Sequence, residues 1–155
     1  MVSHYRRIIK DAEKKALLHI KNQVLDKTSP YYGGVISYNN LADPRTNVFI
    51  LAEFIELYLN EDSSYYSDPL LYERILLLTN YIKRVQRPDG TFDLSSCNFY
   101  SAPDTAFAIN AIIPSYRVLE RLSKQSNPRN EITTLFEEIQ GIIKRAGYGI
   151  ARGGF

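Results

Sequence analysis

Residues 86–109 read QRPDGTFDLSSCNFYSAPDTAFAI, and this stretch decides how the helices on either side of it are arranged. Arg87-Pro88-Asp89-Gly90 has the residue order of a type I turn, with proline second and glycine fourth. The preceding helix is therefore expected to end near Gln86. Ser101 can cap the free N–H groups of the next helix, and the proline and aspartate that follow suit its first turn. The stretch predicts a loop that brings polar side chains to a helix N-terminus.

On both sides of this stretch, apolar residues recur at helical spacing and predict five helices. We expect them at about residues 3–27, 44–59, 69–86, 103–123 and 128–147. The first, third and fifth carry one apolar stripe each. The second and fourth are apolar nearly all round, which predicts burial on most sides, including Phe49 and Phe107. No stretch is long enough in strand-forming residues to predict a sheet.

The alternation of amphipathic and buried helices predicts an all-α fold of antiparallel helical hairpins in two layers. The long links, residues 28–43 and 87–102, are expected at one end, so the two buried helices run parallel with their N-termini together. A weak internal repeat agrees with this arrangement, because residues 43–50 can be laid on residues 102–109. That alignment matches Thr46 with Thr105.

The segments PYYGGV, QRPDGTFDL, NFYSAPDTAFAI and ARGGF together resemble the N-terminal part of bacterial heparinase II/III-like proteins, a polysaccharide lyase family. The resemblance implies an (α/α) toroid in which inner helices face a substrate mouth. It implies that residues 1–155 are a single N-terminal segment, an incomplete ring of about five main helices, truncated at the C-terminus. This segment would form one wall of a cleft for an acidic polysaccharide. The lyase His and Tyr are expected further along, so no catalytic residue is assigned and the segment alone is expected to be inactive.

Five residues are predicted to meet at the open end of the inner helices and bind substrate: Tyr38, Arg45, Asn98, Tyr100 and Asp104. An arginine favours the carboxylate of a uronic acid, a tyrosine offers a ring face, and an amide suits hydroxyl groups. The alternative is structural. In that interpretation Arg45 and Asp104 form an ion pair that only ties the helix starts together. Asn98 and Tyr100 then belong to the capping of the helix start, and Tyr38 packs a ring face on the core.

Composition excludes several other functions. The net charge is +2, and no dense Lys/Arg run interleaves with aromatic residues, so no nucleic-acid partner is expected. No apolar run is long enough for a membrane span or a signal peptide, and the single cysteine, Cys97, suits a reducing compartment. We therefore expect a cytoplasmic segment without cofactor. His4 and His19 lie about 22 Å apart on one helix, so they cannot share a metal, and both are expected at the surface.

Two other functions remain open at this stage. One is a helical-repeat module that binds protein through its tyrosine-rich edge. The other is a terpenoid-cyclase-like toroid, because the RPDG turn followed by an aromatic residue also resembles that class. An incomplete ring would expose an apolar edge, which predicts a homo-oligomer or docking of the missing C-terminal hairpins.

Overall fold

The computed structural model describes residues 2–37, 40–94 and 98–153. In these ranges the helices are α1 (Val2–Asn22), α2 (Pro44–Leu59), α3 (Pro69–Val85), α4 (Ala102–Ser123) and α5 (Asn130–Arg152). Two short strands, β1 (Phe92–Leu94) and β2 (Asn98–Ser101), pair antiparallel between α3 and α4. The all-α prediction is confirmed, and the small sheet was not expected. It forms because the chain must reverse between the turn that follows α3 and the start of α4.

Three helices begin as their capping residues predict. The side chain of Asp43 accepts the N–H of Thr46 at the start of α2. Asp68 does the same for α3, and Ser101 accepts the N–H of Asp104 at 3.2 Å at the start of α4. In α2 and α3 a proline occupies the first helical position, where its missing N–H removes no bond. Local chemistry therefore sets these helix starts.

The predicted bounds of α1 and α5 are wrong. α1 ends at Asn22 because the buried amide of Gln23 donates to the carbonyls of Gly33 and Arg74, which turns the chain onto α3. α5 begins at Asn130 without a side-chain cap and continues through Gly147 and Gly149 to Arg152. Its buried face continues through Ala146 and Gly149, so packing outweighs the weak helix propensity of glycine.

α2 and α4 lie side by side with their N-termini together. Arg45 contacts Asp104 near the helix starts, and further along the Ser115 hydroxyl lies 3.5 Å from the Ala52 carbonyl. α3 packs on α2, α5 packs on α4, and α1 packs on the other side of α2. Fully buried apolar side chains fill the space between the layers, the largest being Tyr81, Phe54, Phe92, Leu51, Ile55, Leu71, Ile75, Leu78, Ile82, Ile112, Leu119 and Leu135.

The predicted burial of Phe49 and Phe107 is wrong. Phe49 is 44% exposed and Phe107 is 62% exposed, although both stand on the two helices that are apolar nearly all round. The physical reason is the shape of the array: the described helices cover α2 and α4 from the sides and from behind, and leave their front faces open. We call this surface, which carries Phe49 and Phe107, the front face.

The internal repeat is present in the structure, one residue away from the predicted alignment. Asn47 and Thr105 are each the fourth residue after a helix cap, and both are fully buried. Each donates to the carbonyl of its own cap residue, and each accepts a backbone N–H from the preceding loop, from Val35 and Phe92 respectively. Thr105 is therefore equivalent to Asn47, because hydrogen bonding defines the register and side-chain identity does not.

The loop after each amphipathic helix rests on the next amphipathic helix. Gly33 has φ +84° and lies so close to α3 that an added Cβ would be 2.4 Å from the Leu77 carbonyl oxygen. Gly90 has φ +94° and lies equally close to α5, with a Cβ placed 1.9 Å from the Arg145 carbonyl oxygen. Both positions require glycine for conformation and for space.

Candidate functional site

A chain of hydrogen bonds joins the starts of α2 and α4. The amide of Asn98 donates to the Ser101 hydroxyl at 3.0 Å, and this hydroxyl donates to Asp104 Oδ2 at 2.5 Å. Asp104 Oδ1 in turn accepts Arg45 Nη1 at 2.9 Å. The structure thus brings three predicted site residues, Arg45, Asn98 and Asp104, into one network. It lies at the N-terminal ends of α2 and α4, which we call the mouth of the array.

Among the described residues, Arg45 uses only part of its N–H donors in this network. Its bond to Asp104 uses Nη1 alone, and a guanidinium carries five N–H donors in a planar fork. The side chain of Arg45 is 39% exposed, whereas that of Asp104 is 13% exposed. Asp104 therefore holds the orientation of the guanidinium, and the remaining N–H groups can meet an anionic or hydroxylated ligand. Arg45 and Asp104 thus form the ion pair that the alternative without a binding role predicts. The unused N–H groups of Arg45 can still bind a ligand.

Tyr100 is held in an unusual conformation beside this network. Its φ is +54°, in the left-handed region that residues other than glycine and asparagine seldom adopt. The residue is 55% exposed. Its N–H donates to Asp93 Oδ1 at 2.9 Å, and the Arg87 guanidinium lies over its ring at 4.8 Å. Arg87 also donates to Asp93 Oδ2. These contacts fix an exposed aromatic ring at the mouth, where a bound ring could stack on it.

The Asp93 carboxyl on β1 accepts hydrogen bonds from Arg87 and from the Tyr100 N–H on β2, and so stabilises the strand pair. Burial raises the pKa of Asp93, but the hydrogen bonds from Arg87 and from the Tyr100 N–H outweigh it, and the net effect lowers the pKa. The carboxylate therefore stays charged at neutral pH and keeps its two contacts.

An open cleft of about 560 Å³ lies next to Tyr100. Its lining includes Asn98, Tyr100, the first turn of α4 and, from the end of α5, Arg152. Within the described part of the chain Arg152 has no ion-pair partner. The Asp89 carboxylate lines the same cleft, and its Oδ1 accepts the N–H and the hydroxyl of Thr91. The cleft therefore combines an amide, a phenol ring, a carboxylate and a guanidinium, which are groups suited to an oxygen-rich ligand.

No protein-family model, curated protein or solved structure matches this chain. The assignment of a site therefore depends on geometry alone. Of the five predicted residues, Asn98 and Tyr100 line the cleft, while Arg45 and Asp104 lie beside it and are joined to it through Ser101. Tyr38 lies outside the described residues.

A second cleft, on the α1 side of α2, was not predicted from the sequence. It measures about 760 Å³ and is lined by His19, Ser37, Thr46 and Ile50 among others. His19 is 29% exposed and lies 3.7 Å from Glu53, so this predicted surface residue is only partly exposed. Burial lowers the pKa of His19, and Glu53 opposes that shift only in part. The available signal was spacing, because His19 follows the buried Ala16 by three residues and shares its helix face.

The described residues form neither a metal-binding cluster nor a membrane-spanning helix. Within residues 2–37, 40–94 and 98–153, no three His, Cys, Asp or Glu side chains cluster in a way that could hold a metal ion. No helix of the same residues combines the length and the apolarity needed to cross a bilayer.

Proposed function

We propose that this chain is the N-terminal part of a carbohydrate-active (α/α) toroid, similar to a polysaccharide lyase, and forms one wall of a cleft for an acidic polysaccharide. The observation that carries the proposal is the cleft in which Asn98, Tyr100 and Arg152 converge. The parallel inner helices with their N-termini together support the toroid part of it. The heparinase-like resemblance of the same segments supports the substrate class.

The roles follow from the chemistry of the side chains. Arg152, which has no ion-pair partner among the described residues, would bind a uronic acid carboxylate, and Asn98 would hydrogen-bond sugar hydroxyls. The Tyr100 ring would stack on the apolar face of a sugar, because Arg87 and Asp93 already hold it in place. Arg45, oriented by Asp104, would bind a second acidic group. We expect this chain alone to bind an acidic oligosaccharide without cleaving it.

The test is an NMR titration with a tetrasaccharide of a uronic acid, and with a neutral tetrasaccharide as the ligand control. We expect shifts in residues 98–106 and 150–153 with the acidic ligand only. Arg152→Gln should weaken binding about tenfold, which corresponds to the loss of about 1.4 kcal/mol. Arg121→Gln removes the same charge roughly 28 Å along α4 from its start and should not weaken binding. Equal weakening by both variants, or no shifts at millimolar ligand, would overturn the proposal.

A second candidate function has one observation in its favour. α1 exposes several large apolar side chains, among them Ile8, Leu17 and Leu18, each about half exposed. Leu17 and Leu18 are neighbours on the helix surface, whereas Ile8 lies nine residues from Leu17 and so on the opposite side of α1. A neighbouring exposed pair such as Leu17 and Leu18 can form part of a surface that binds another protein. A helical-repeat interaction module would bind through α1, and replacing Leu17 and Leu18 with Ser would then abolish association while leaving saccharide titration unchanged.

A further inference from the structure

The two exposed phenylalanines of the front face occupy equivalent positions in the repeat. Phe49 is the sixth residue after the α2 cap, Asp43, and Phe107 is the sixth residue after the α4 cap, Ser101. The buried hydrogen bonds of Asn47 and Thr105 fix this register independently. The chain therefore places an exposed aromatic ring at the same height on each of two neighbouring inner helices.

Helix geometry places both rings just below the ion pair at the mouth. Arg45 precedes Phe49 by four residues, and Asp104 precedes Phe107 by three, so each pair shares one helix face. Because Arg45 and Asp104 contact each other across the two helices, the rings flank the α2–α4 groove one helical turn further in. Both rings thus belong to the front face.

Phe107 also connects this groove to the cleft. Pro103, one turn before Phe107 on α4, lines the cleft beside Asn98 and Tyr100. A ligand chain that leaves the cleft past Pro103 would therefore meet Phe107 first. It would reach Arg45 and Phe49 next, on the neighbouring helix.

The surroundings of the rings indicate what they bind. An ion pair lies above them, and the exposed side chains on the same faces below them, Asn110 and Glu56, are polar. A purely apolar partner would leave these groups without hydrogen bonds, which costs free energy when they are buried. A pyranose ring has an apolar C–H face and a rim of hydroxyls, and it satisfies both kinds of neighbour.

We propose that Phe49 and Phe107 are two stacking subsites for sugar rings, arranged so that a polysaccharide runs from the cleft across the mouth of the array. This inference rests on the proposed function, since it extends the same site from the cleft onto the front face. Arg45, one helical turn before Phe49 on α2, supplies the N–H donors that Asp104 leaves unused.

The experiment compares Phe49→Ala, Phe107→Ala and the unchanged chain by isothermal titration calorimetry with a uronic acid hexasaccharide. Loss of one ring–sugar stack should raise Kd about three- to tenfold for each variant. Phe107→Tyr keeps a ring and should bind like the unchanged chain. Tyr148→Ala removes a ring of similar exposure from α5, two residues before Ile150 and so on the other side of that helix, and should leave Kd unchanged.

The outcomes separate this inference from the proposed function. Unchanged Kd for both alanine variants, together with weaker binding by Arg152→Gln, would overturn the stacking subsites and leave the cleft as the binding site. No binding by the unchanged chain would overturn both. Equal weakening by Phe107→Ala and Tyr148→Ala would indicate a general loss of structure, and the subsites would again be rejected, because exposed side chains should not affect folding.

Discussion

Gly90→Ala is the most informative test of the fold, because two separate features of the structure predict that it destabilises the protein. The φ of +94° places an alanine in a conformation that costs about 1–2 kcal/mol. The new Cβ would also lie 1.9 Å from the Arg145 carbonyl oxygen, so the turn must move off α5, and such overpacking costs about 1–3 kcal/mol. The two terms together predict a loss of about 2–5 kcal/mol, a large part of the stability of an ordinary domain.

The chain offers a matched control in the helix that the turn contacts. Gly147 stands on α5, and a Cβ added there meets nothing within 4 Å. Gly147→Ala should therefore stabilise the protein by about 0.5–1 kcal/mol, through helix propensity alone. Urea unfolding followed by circular dichroism measures both variants. A loss below about 1 kcal/mol for Gly90→Ala, or equal effects of the two substitutions, would refute the close approach of the turn to α5.

Three further predictions concern the mouth of the array. Thr105→Val keeps the shape of the side chain but leaves the buried Phe92 N–H unpaired, and should cost about 1–3 kcal/mol in urea unfolding; a neutral substitution would contradict this role. Asp93→Asn should lower stability at neutral pH, because the pKa of Asp93 is lower in the folded than in the unfolded state. The stability that the carboxylate contributes is present above about pH 4 and is lost as the pH falls through the folded pKa. Thermal unfolding of both proteins as a function of pH measures this difference. Arg45→Met should cost only about 0.2–1 kcal/mol, less at high salt, because the pair is part exposed; a salt-independent loss above about 2 kcal/mol would mean that the pair is a core element.

Local chemistry allowed the helix starts to be predicted from the sequence. Ser101 caps α4 as expected, and Asp43 and Asp68 cap α2 and α3 by the same chemistry, because a cap depends on a few neighbouring residues. The end of α1 could not be predicted in the same way. It depends on the bond from Gln23 to the Arg74 carbonyl, which lies 51 residues away. Long-range contacts therefore decided the bounds that local patterns missed.

The candidate site was predictable only in part, for a similar reason. The convergence of Asn98, Asp104 and Arg45 followed from placing two helix starts together. The contribution of Arg152 did not, because it depends on α5 running past its glycines to reach the cleft. Likewise, the exposure of Phe49 depends on which neighbours surround α2, and apolar composition alone does not specify them.

The loops that follow α1 and α3 pack on the helices of the next hairpins, and this packing couples the hairpins during folding. The turn at Gly33 packs against α3 and the turn at Gly90 packs against α5, so each turn gains its full set of contacts only when that helix is in place. Neighbouring hairpins are therefore coupled in order along the chain, as in a one-dimensional array in which each unit completes the one before it. Loosening α5 should first release the turn at Gly90 and the strand pair beyond it, so hydrogen exchange would report the mouth of the array as one cooperative unit with its last helix.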